Sequence, residues 1–339
     1  MMRLPSFRFH RPQNLAEAAR LLAASPQTTR LVAGGTDLWP NLKRRHQQAE
    51  DVVSLALVRE LHGVERRADG SFAIGAMTTL SAVAADRPLA AEHPALSRAV
   101  RSISSPVLQN MGTLGGNLCL DTRCTYYNQN EEWRRSIGYC KKEVGETCWV
   151  APGSPRCWAI SASDSAPMLC ALGASVRLVS ASGERTIPLT ALYQDDGIAY
   201  LTKRPDEILT QVFVPAAADR HSAFWKLRRR GSIDFGVLSV AGTIALDAQR
   251  RVRSAQLFLG CVASFPTPCT EAMESLQGQI FDEEHITRAA VLARKAASPL
   301  SNTDFLPQWR SKMVEPYTEA VLREIAGLPQ QRLAPAHAF

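Results

Sequence analysis

The chain has 339 residues, 45% of them hydrophobic and 21% charged, with a formal net charge of +7. That length allows two or three domains, and the fractions are ordinary for a soluble globular protein. The basic residues form only short runs, at 43–45 and 228–230, so the charge reads as a solvated face and not as a nucleic-acid site. The first 25 residues lack an uninterrupted apolar region and no later stretch reaches the length of a membrane span, so neither a signal peptide nor a membrane segment is expected. The expected location is cytoplasmic. Thiols stay reduced there, so cysteines read as metal or redox chemistry before disulfides.

The predicted elements begin with a strand over 7–12. Asn14 then caps a helix whose face carries Leu15, Ala18, Ala19 and Leu22. A strand at 29–33 ends at Gly34-Gly35, a helix covers 37–45 despite Pro40, and a strand covers 52–55. This is a small α/β unit, residues 1–57. A second unit, 58–217, has a strand at 71–75, a helix after Thr79 and another at 94–102. Past an irregular segment at 121–160 come an apolar run at 166–172 and strands at 175–180, 186–189 and 207–215. A break at 216–220 leads into strands at 222–228, 237–247 and 254–261 and helices at 270–277, 283–297 and 309–326. This last part reads as a separate α+β domain, 218–328, followed by a tail at 329–339.

Two glycine motifs interrupt the pattern. Ala33-Gly34-Gly35-Thr36-Asp37-Leu38 lies where a strand hands over to a helix, a place that suits an anion. Paired glycines let a ligand approach the backbone, Thr36 adds a hydroxyl, and Asp37 is placed to cap the next helix. Thr113-Leu114-Gly115-Gly116-Asn117 repeats the chemistry as a second loop. Each alone fits a plain turn; together they fit a clamp on a pyrophosphate. Neither G-x-G-x-x-G nor G-K-[ST] occurs, so the dinucleotide and P-loop fingerprints are absent. Asp164 precedes the apolar run and reads as a helix cap or a ligand contact. Lys226 and Arg228 share one face of a strand, beside a flavin edge or in solvent. His10, His46 and His221 read as surface residues.

Five of eight cysteines fall between 119 and 157. From Cys124 through Cys140 and Cys148 to Cys157 the gaps are fifteen, seven and eight residues. The lack of any C-x-x-C argues against a zinc ribbon and against thioredoxin chemistry. An iron–sulfur cluster, a structural zinc and incidental thiols all remain open on these residues. The segment has little apolar periodicity and many aromatics, and a loop of that length needs something to order it. Cys170, Cys261 and Cys269 lie among apolar residues and read as inert core thiols.

The AGGTD motif, the TLGGN motif and the run from Asp164 through Pro167 to Ala174 resemble the FAD-binding subunit of the xanthine oxidase family of molybdenum enzymes, over essentially the whole chain. The four-cysteine insertion at 121–160, with DTRCTYYNQ and GYC, is similar to that of 4-hydroxybenzoyl-CoA reductase beta subunits. The resemblance implies an α+β fold: a two-subdomain FAD-binding domain of the vanillyl-alcohol-oxidase/PCMH type, then a smaller α+β domain. It implies FAD held by Ala33, Gly34, Gly35, Thr36, Asp37, Leu38, Thr113, Gly115, Gly116 and Asn117 at the pyrophosphate. Asp164 would meet the ribityl chain, and Lys226 lies beside the flavin. It implies a 4Fe–4S cluster on Cys124, Cys140, Cys148 and Cys157, with Cys119 outside the set.

The partners implied are a molybdenum-cofactor large subunit that binds substrate and a small subunit with two 2Fe–2S clusters, assembled as a dimer of heterotrimers. Electrons would enter from a ferredoxin-type donor, pass the 4Fe–4S cluster and FAD, and serve reductive removal of a phenolic hydroxyl from an aromatic CoA thioester. Arg123, Arg134, Arg135, Lys141, Lys142 and Arg156, on a loop read as peripheral, are placed to steer an acidic donor. Two rival readings are a flavin subunit of a molybdenum hydroxylase for another aromatic substrate and a zinc-stiffened docking subunit without redox function.

Overall fold

A computed structural model describes residues 3–231 and 233–330. Residues 331–339, most of the expected tail, lie outside the described residues.

The first sheet is parallel, in the order β1 (Arg8–His10), β3 (Asp51–Ser54), β2 (Thr29–Val32). Asn14 caps the helix Leu15–Ala24 by accepting from the Glu17 N–H at 2.9 Å, a contact worth about 1 kcal/mol. Ala18, Ala19 and Leu22 of that helix are buried on Val53 and Leu55. Met77 and Ile208 of the next unit join the same core, so the two units share packed surface.

The second sheet is antiparallel, in the order β4 (Val64–Arg66), β5 (Phe72–Gly75), β8 (Ile208–Val214), β6 (Ser175–Ser180), β7 (Gly183–Pro188). Strand β6 alternates intermediate and buried residues, with Val176 and Leu178 turned inward. They meet the helices Leu80–Ala85, Pro94–Arg101 and Ser165–Ala171.

The third sheet is antiparallel, in the order β12 (Thr267–Pro268), β11 (Val252–Gly260), β10 (Leu238–Leu246), β9 (Arg220–Leu227). One face carries the helices Thr270–Leu276, Glu283–Ala293 and Pro307–Ala326. The other does not face water. Phe224, Ala241 and Phe258 join the core of the second unit, and the helix Ser165–Ala171 packs on β10 and β11. The domain expected at 218–328 therefore packs one face of its sheet against its neighbour. This explains why nearly every residue of β10, LSVAGTIAL, is buried.

Among the described residues no helix is long and apolar enough to cross a membrane.

Candidate functional site

The two glycine motifs meet. A Cβ on Gly34 would lie 1.7 Å from the Met111 carbonyl oxygen and 3.0 Å from Gly112 N. Gly34 is thus glycine because the backbone leading into the second motif packs directly against it. Gly35 has φ of +72°, a left-handed conformation that glycine adopts without steric cost. The second motif is not the open loop expected from sequence. It begins a short helix, Leu114–Leu118, whose cap Thr113 accepts from the Gly116 N–H at 3.0 Å. Glycines lower helix propensity, which hid this turn from a sequence reading.

A cavity of about 760 Å³ opens between the motifs. Ala33, Gly34, Gly35, Thr36, Asp37 and Leu38 line one wall. Thr113, Gly115, Gly116, Asn117 and Asp164 line another. The Asn117 side-chain oxygen accepts from the Ser163 and Ser165 hydroxyls at 2.8 and 2.6 Å, tying the second motif to the Asp164 turn.

Asp164 sits at the N-terminus of Ser165–Ala171 but makes no side-chain cap bond. Its Oδ2 instead accepts from Lys226 Nζ at 2.7 Å. Its Oδ1 is buried with no partner, an acceptor left for something in the cavity. Burial pushes the carboxyl pKa up, and the Lys226 ammonium opposes that shift. Lys226 does not line the cavity. Its ammonium also donates to the Ser102 and Asp234 carbonyls, so it braces Asp164 from behind. Arg228 likewise donates to the Ser102 carbonyl, at 3.2 Å.

Asp37 also departs from its expected role. It occupies the cap position of Leu38–Lys43 without a side-chain cap bond. Its carboxylate accepts from Asn41 Nδ2 at 2.9 Å and pairs with Arg123, whose guanidinium lies under the Phe235 ring at 5.1 Å. Arg123 belongs to the cysteine segment, whose Asp121, Tyr127 and Lys142 line one edge of the cavity.

The cysteine segment is neither irregular throughout nor peripheral. Asn130 caps a helix, Glu131–Ser136, by accepting from the Trp133 N–H at 2.8 Å. The Tyr127 hydroxyl donates to the His46 carbonyl, and His46 Nε2 bonds the Gln129 carbonyl at 3.1 Å. His46 is therefore buried rather than on the surface. On the opposite side the Thr125 N–H donates to the Asn302 carbonyl and the Asn302 amide to the Trp158 carbonyl. The segment is wedged between the first unit and the third.

Cys124, Cys140, Cys148 and Cys157 are all buried and line one small second cavity with Lys142 and Trp149. Cys119 lines the large cavity instead. The Ala159 N–H donates to the Cys157 sulfur at 3.4 Å; nearby backbone N–H groups of Tyr126 and Tyr127 favour the thiolate at Cys124, and those of Lys142 and Glu143 favour it at Cys140. Burial pushes the Cys124 thiol up to about 12 and that of Cys157 up to about 11. Among the described residues no group of three or more His, Cys, Asp or Glu is placed to hold a single metal ion. Gly197 packs tightly on one of these sulfurs: a Cβ there would lie 2.7 Å from Cys157 Sγ.

The basic residues expected to steer a partner are mostly spent inside the fold. Arg123 pairs with Asp37, Arg134 with Glu131 and Glu143, Lys142 with Asp121, and Arg156 with Asp195 while stacking on Trp158. Arg135 is exposed and pairs loosely with Glu131.

Two family models divide this architecture between them. Residues 5–217 match the FAD binding domain in molybdopterin dehydrogenase, and residues 222–325 match the CO dehydrogenase flavoprotein C-terminal domain. The chain is an FAD-binding medium subunit of the xanthine oxidase/CO dehydrogenase family of molybdenum enzymes. It is similar to the carbon monoxide dehydrogenase medium chain of Afipia carboxidovorans, 28% identical over 91% of this chain and 92% of that one. It is similar to the putative xanthine dehydrogenase FAD-binding subunit of Escherichia coli, 26% identical over 93% and 94%. A solved Cu,Mo-CO dehydrogenase superposes with a TM-score of 0.79 at 25% identity, covering 96% of this chain and 99% of that one.

FAD binding comes with the first of these domains. The medium subunit's large cavity has further walls that the motifs did not reveal. Met77, Ile103 and Leu80 come from the second unit, Tyr200 from the loop after β7, and Ile233, Asp234 and Phe235 from the loop after β9. Met77, Leu80, Ile103 and Tyr200 sit in no glycine-rich or charged pattern; Ile233, Asp234 and Phe235 follow the basic run at 228–230 between Gly231 and Gly236, a run that reads from sequence as a solvated face.

Proposed function

We propose that this medium subunit carries both FAD and a 4Fe–4S cluster, and serves as the electron-entry module of a reductase of the 4-hydroxybenzoyl-CoA type. The observation that carries this reading is the convergence of four buried cysteines on one cavity that shares a wall residue, Lys142, with the large cavity.

The chemistry of both sites fits. In the large cavity the unpartnered Asp164 oxygen suits a ribityl hydroxyl, and the two glycine motifs suit the pyrophosphate. In the small one, sulfurs near backbone N–H groups that favour the thiolate, with Ala159 N–H bonded to Cys157, suit thiolates bound to iron, whose potential such donors tune. Buried thiols this weakly acidic stay protonated at neutral pH unless a metal displaces the proton. In a cluster each thiolate meets its own iron, so the four sulfurs need not converge on one point as they must around zinc. Bound there, FAD would exchange electrons singly or in pairs and the cluster would exchange them one at a time. The chain's own residues fix the two sites and keep water from the sulfurs.

The partners in this reading are a molybdenum large subunit, a small subunit with 2Fe–2S clusters and a ferredoxin-type donor. A second reading is favoured by the names of the relatives, which are dehydrogenases for carbon monoxide and xanthine: the same subunit would then serve an oxidative enzyme.

The test is metal, acid-labile sulfide and flavin analysis of the purified complex, followed by turnover with each donor and acceptor class. Four irons and four sulfides per chain beyond the small subunit's content are expected, with one FAD. Zinc in place of iron would overturn the cluster. Substrate oxidation without any reductive activity would favour the second reading.

A further inference from the structure

Lys142 stands between the two cavities. Its side chain is 6% exposed. Its ammonium donates to Asp121 Oδ1, Thr122 Oγ1 and the Gly197 carbonyl, each at 2.7 Å, which uses all three of its protons. The rings of Tyr127 and Tyr200 flank it at 5.0 and 5.6 Å. Asp121 is buried too, and its second oxygen accepts from Gln47 Nε2 at 3.1 Å. A buried ion pair is costly to assemble relative to an apolar contact. A simple cross-link between the cysteine segment and the Gly197 loop would not require one.

The pair is oriented. Lys142 lines both cavities, whereas Asp121 lines only the large one. The Gly197 carbonyl that accepts from the ammonium belongs to a residue packed against Cys157 Sγ, on the sulfur side. The cation thus lies toward the sulfurs and the carboxylate toward the flavin cavity. Charges in so dry a wall are weakly screened and act on both neighbours.

We infer that the Lys142–Asp121 pair is an electrostatic partition that biases the midpoint potentials of the two redox centres in opposite directions, raising that of the sulfur-bound centre and lowering that of the flavin. The inference rests on the two-cofactor reading above. Its physical basis is simple: one-electron reduction adds negative charge, which a nearby cation stabilises and a nearby carboxylate opposes. Lys142 and Asp121 are positioning residues in this role. The electron in the test comes from a chemical reductant of the dithionite class, with mediators.

The test uses the assembled complex and three variants: Lys142→Met, Asp121→Asn and the double variant. Potentials are read by electron paramagnetic resonance for the cluster and by visible absorbance for the flavin. Lys142→Met leaves an unopposed carboxylate and lowers both potentials, the cluster's more. Asp121→Asn leaves an unopposed ammonium and raises both. The double variant decides the matter, because only loss of an oriented pair moves the centres in opposite directions: the cluster down and the flavin up. A tenfold change in the cluster's reduced-to-oxidised ratio is expected for Lys142→Met, about 59 mV for a one-electron couple. Lys142→Arg should keep the wild-type values.

If both potentials stay unchanged in the double variant, or move together, the inference is overturned, whatever happens to thermal stability. Should Lys142→Met not assemble, Asp121→Asn decides, and an unchanged flavin potential in it overturns the inference. Wild-type enzyme lacking the extra iron and sulfide would sink the cluster reading and the cluster half of the inference. The flavin half would still be decided by Asp121→Asn.

Discussion

Arg123 and Ile160 face each other across a short antiparallel bridge, each donating its N–H to the other's carbonyl at 2.8 Å. These residues lie near the two ends of the cysteine segment. The bridge holds those ends together, so that ordering the loop between them starts from a closed neck. Arg123 adds a second tie through Asp37. The same residue thus pins the cysteine segment and, through Asp37, one wall of the large cavity.

The neck makes the two sites separable by mutation. Cys140→Ser removes one of the four sulfurs but touches neither glycine motif. The expected outcome is loss of the cluster's iron with FAD retained, measured as iron and flavin per chain. Unchanged iron would refute the ligand assignment.

Gly34 and Gly116 should behave differently. Gly34→Ala drives a Cβ into the Met111 backbone, and neither backbone can yield without separating the motifs. Overpacking of this kind costs about 3 kcal/mol or more, together with FAD. In Gly116→Ala the nearest obstacle is the Thr113 hydroxyl at 3.0 Å, so the fold should survive while flavin affinity falls. Denaturant unfolding and flavin titration separate the two effects, and equal stability losses would count against the packing argument.

Lys226→Met leaves the Asp164 carboxylate buried without its cation. Breaking one side of a buried pair costs on the order of 3–5 kcal/mol at neutral pH. The folded-state pKa of Asp164 is already raised by burial, and removal of Lys226 raises it further. Protonation therefore relieves the variant: its deficit should be largest at neutral pH and shrink as pH falls through that raised value. Asp164→Asn in the Lys226→Met background should recover much of the loss. Urea midpoints across pH test this, and a deficit independent of pH would contradict it.

His46 predicts the opposite slope. Its pKa is lowered by burial, and its Nδ1 is buried without a partner. The neutral ring is therefore the one the fold accepts. The stability it allows is present above the usual histidine range near 6.5 and is lost as pH falls below it. Because His46 anchors Gln129, limited proteolysis within 121–160 should speed up at mildly acid pH, and His46→Gln should flatten that dependence. Equal cleavage rates at pH 5 and 7.5 in the wild type would dispose of the idea.

Local chemistry wrote much of this protein into its sequence. Asn14 and Thr79 cap the helices they precede, and the apolar alternation of β6 was readable from the order of residues, because caps and periodicity act over a few positions. The two glycine motifs and the four cysteines likewise singled out residues that line the two cavities. What the order of residues left open was decided by contacts between distant segments. Gly34 is glycine because of Met111, Asp37 turns from its helix to Arg123, and Asp164 is held by Lys226. The bases at 123, 134, 142 and 156 are each consumed by a carboxylate outside their own helical turn. No pattern of neighbours encodes such pairings. A buried charge takes whichever partner the fold brings within reach, since leaving it unpaired costs more than any local preference supplies.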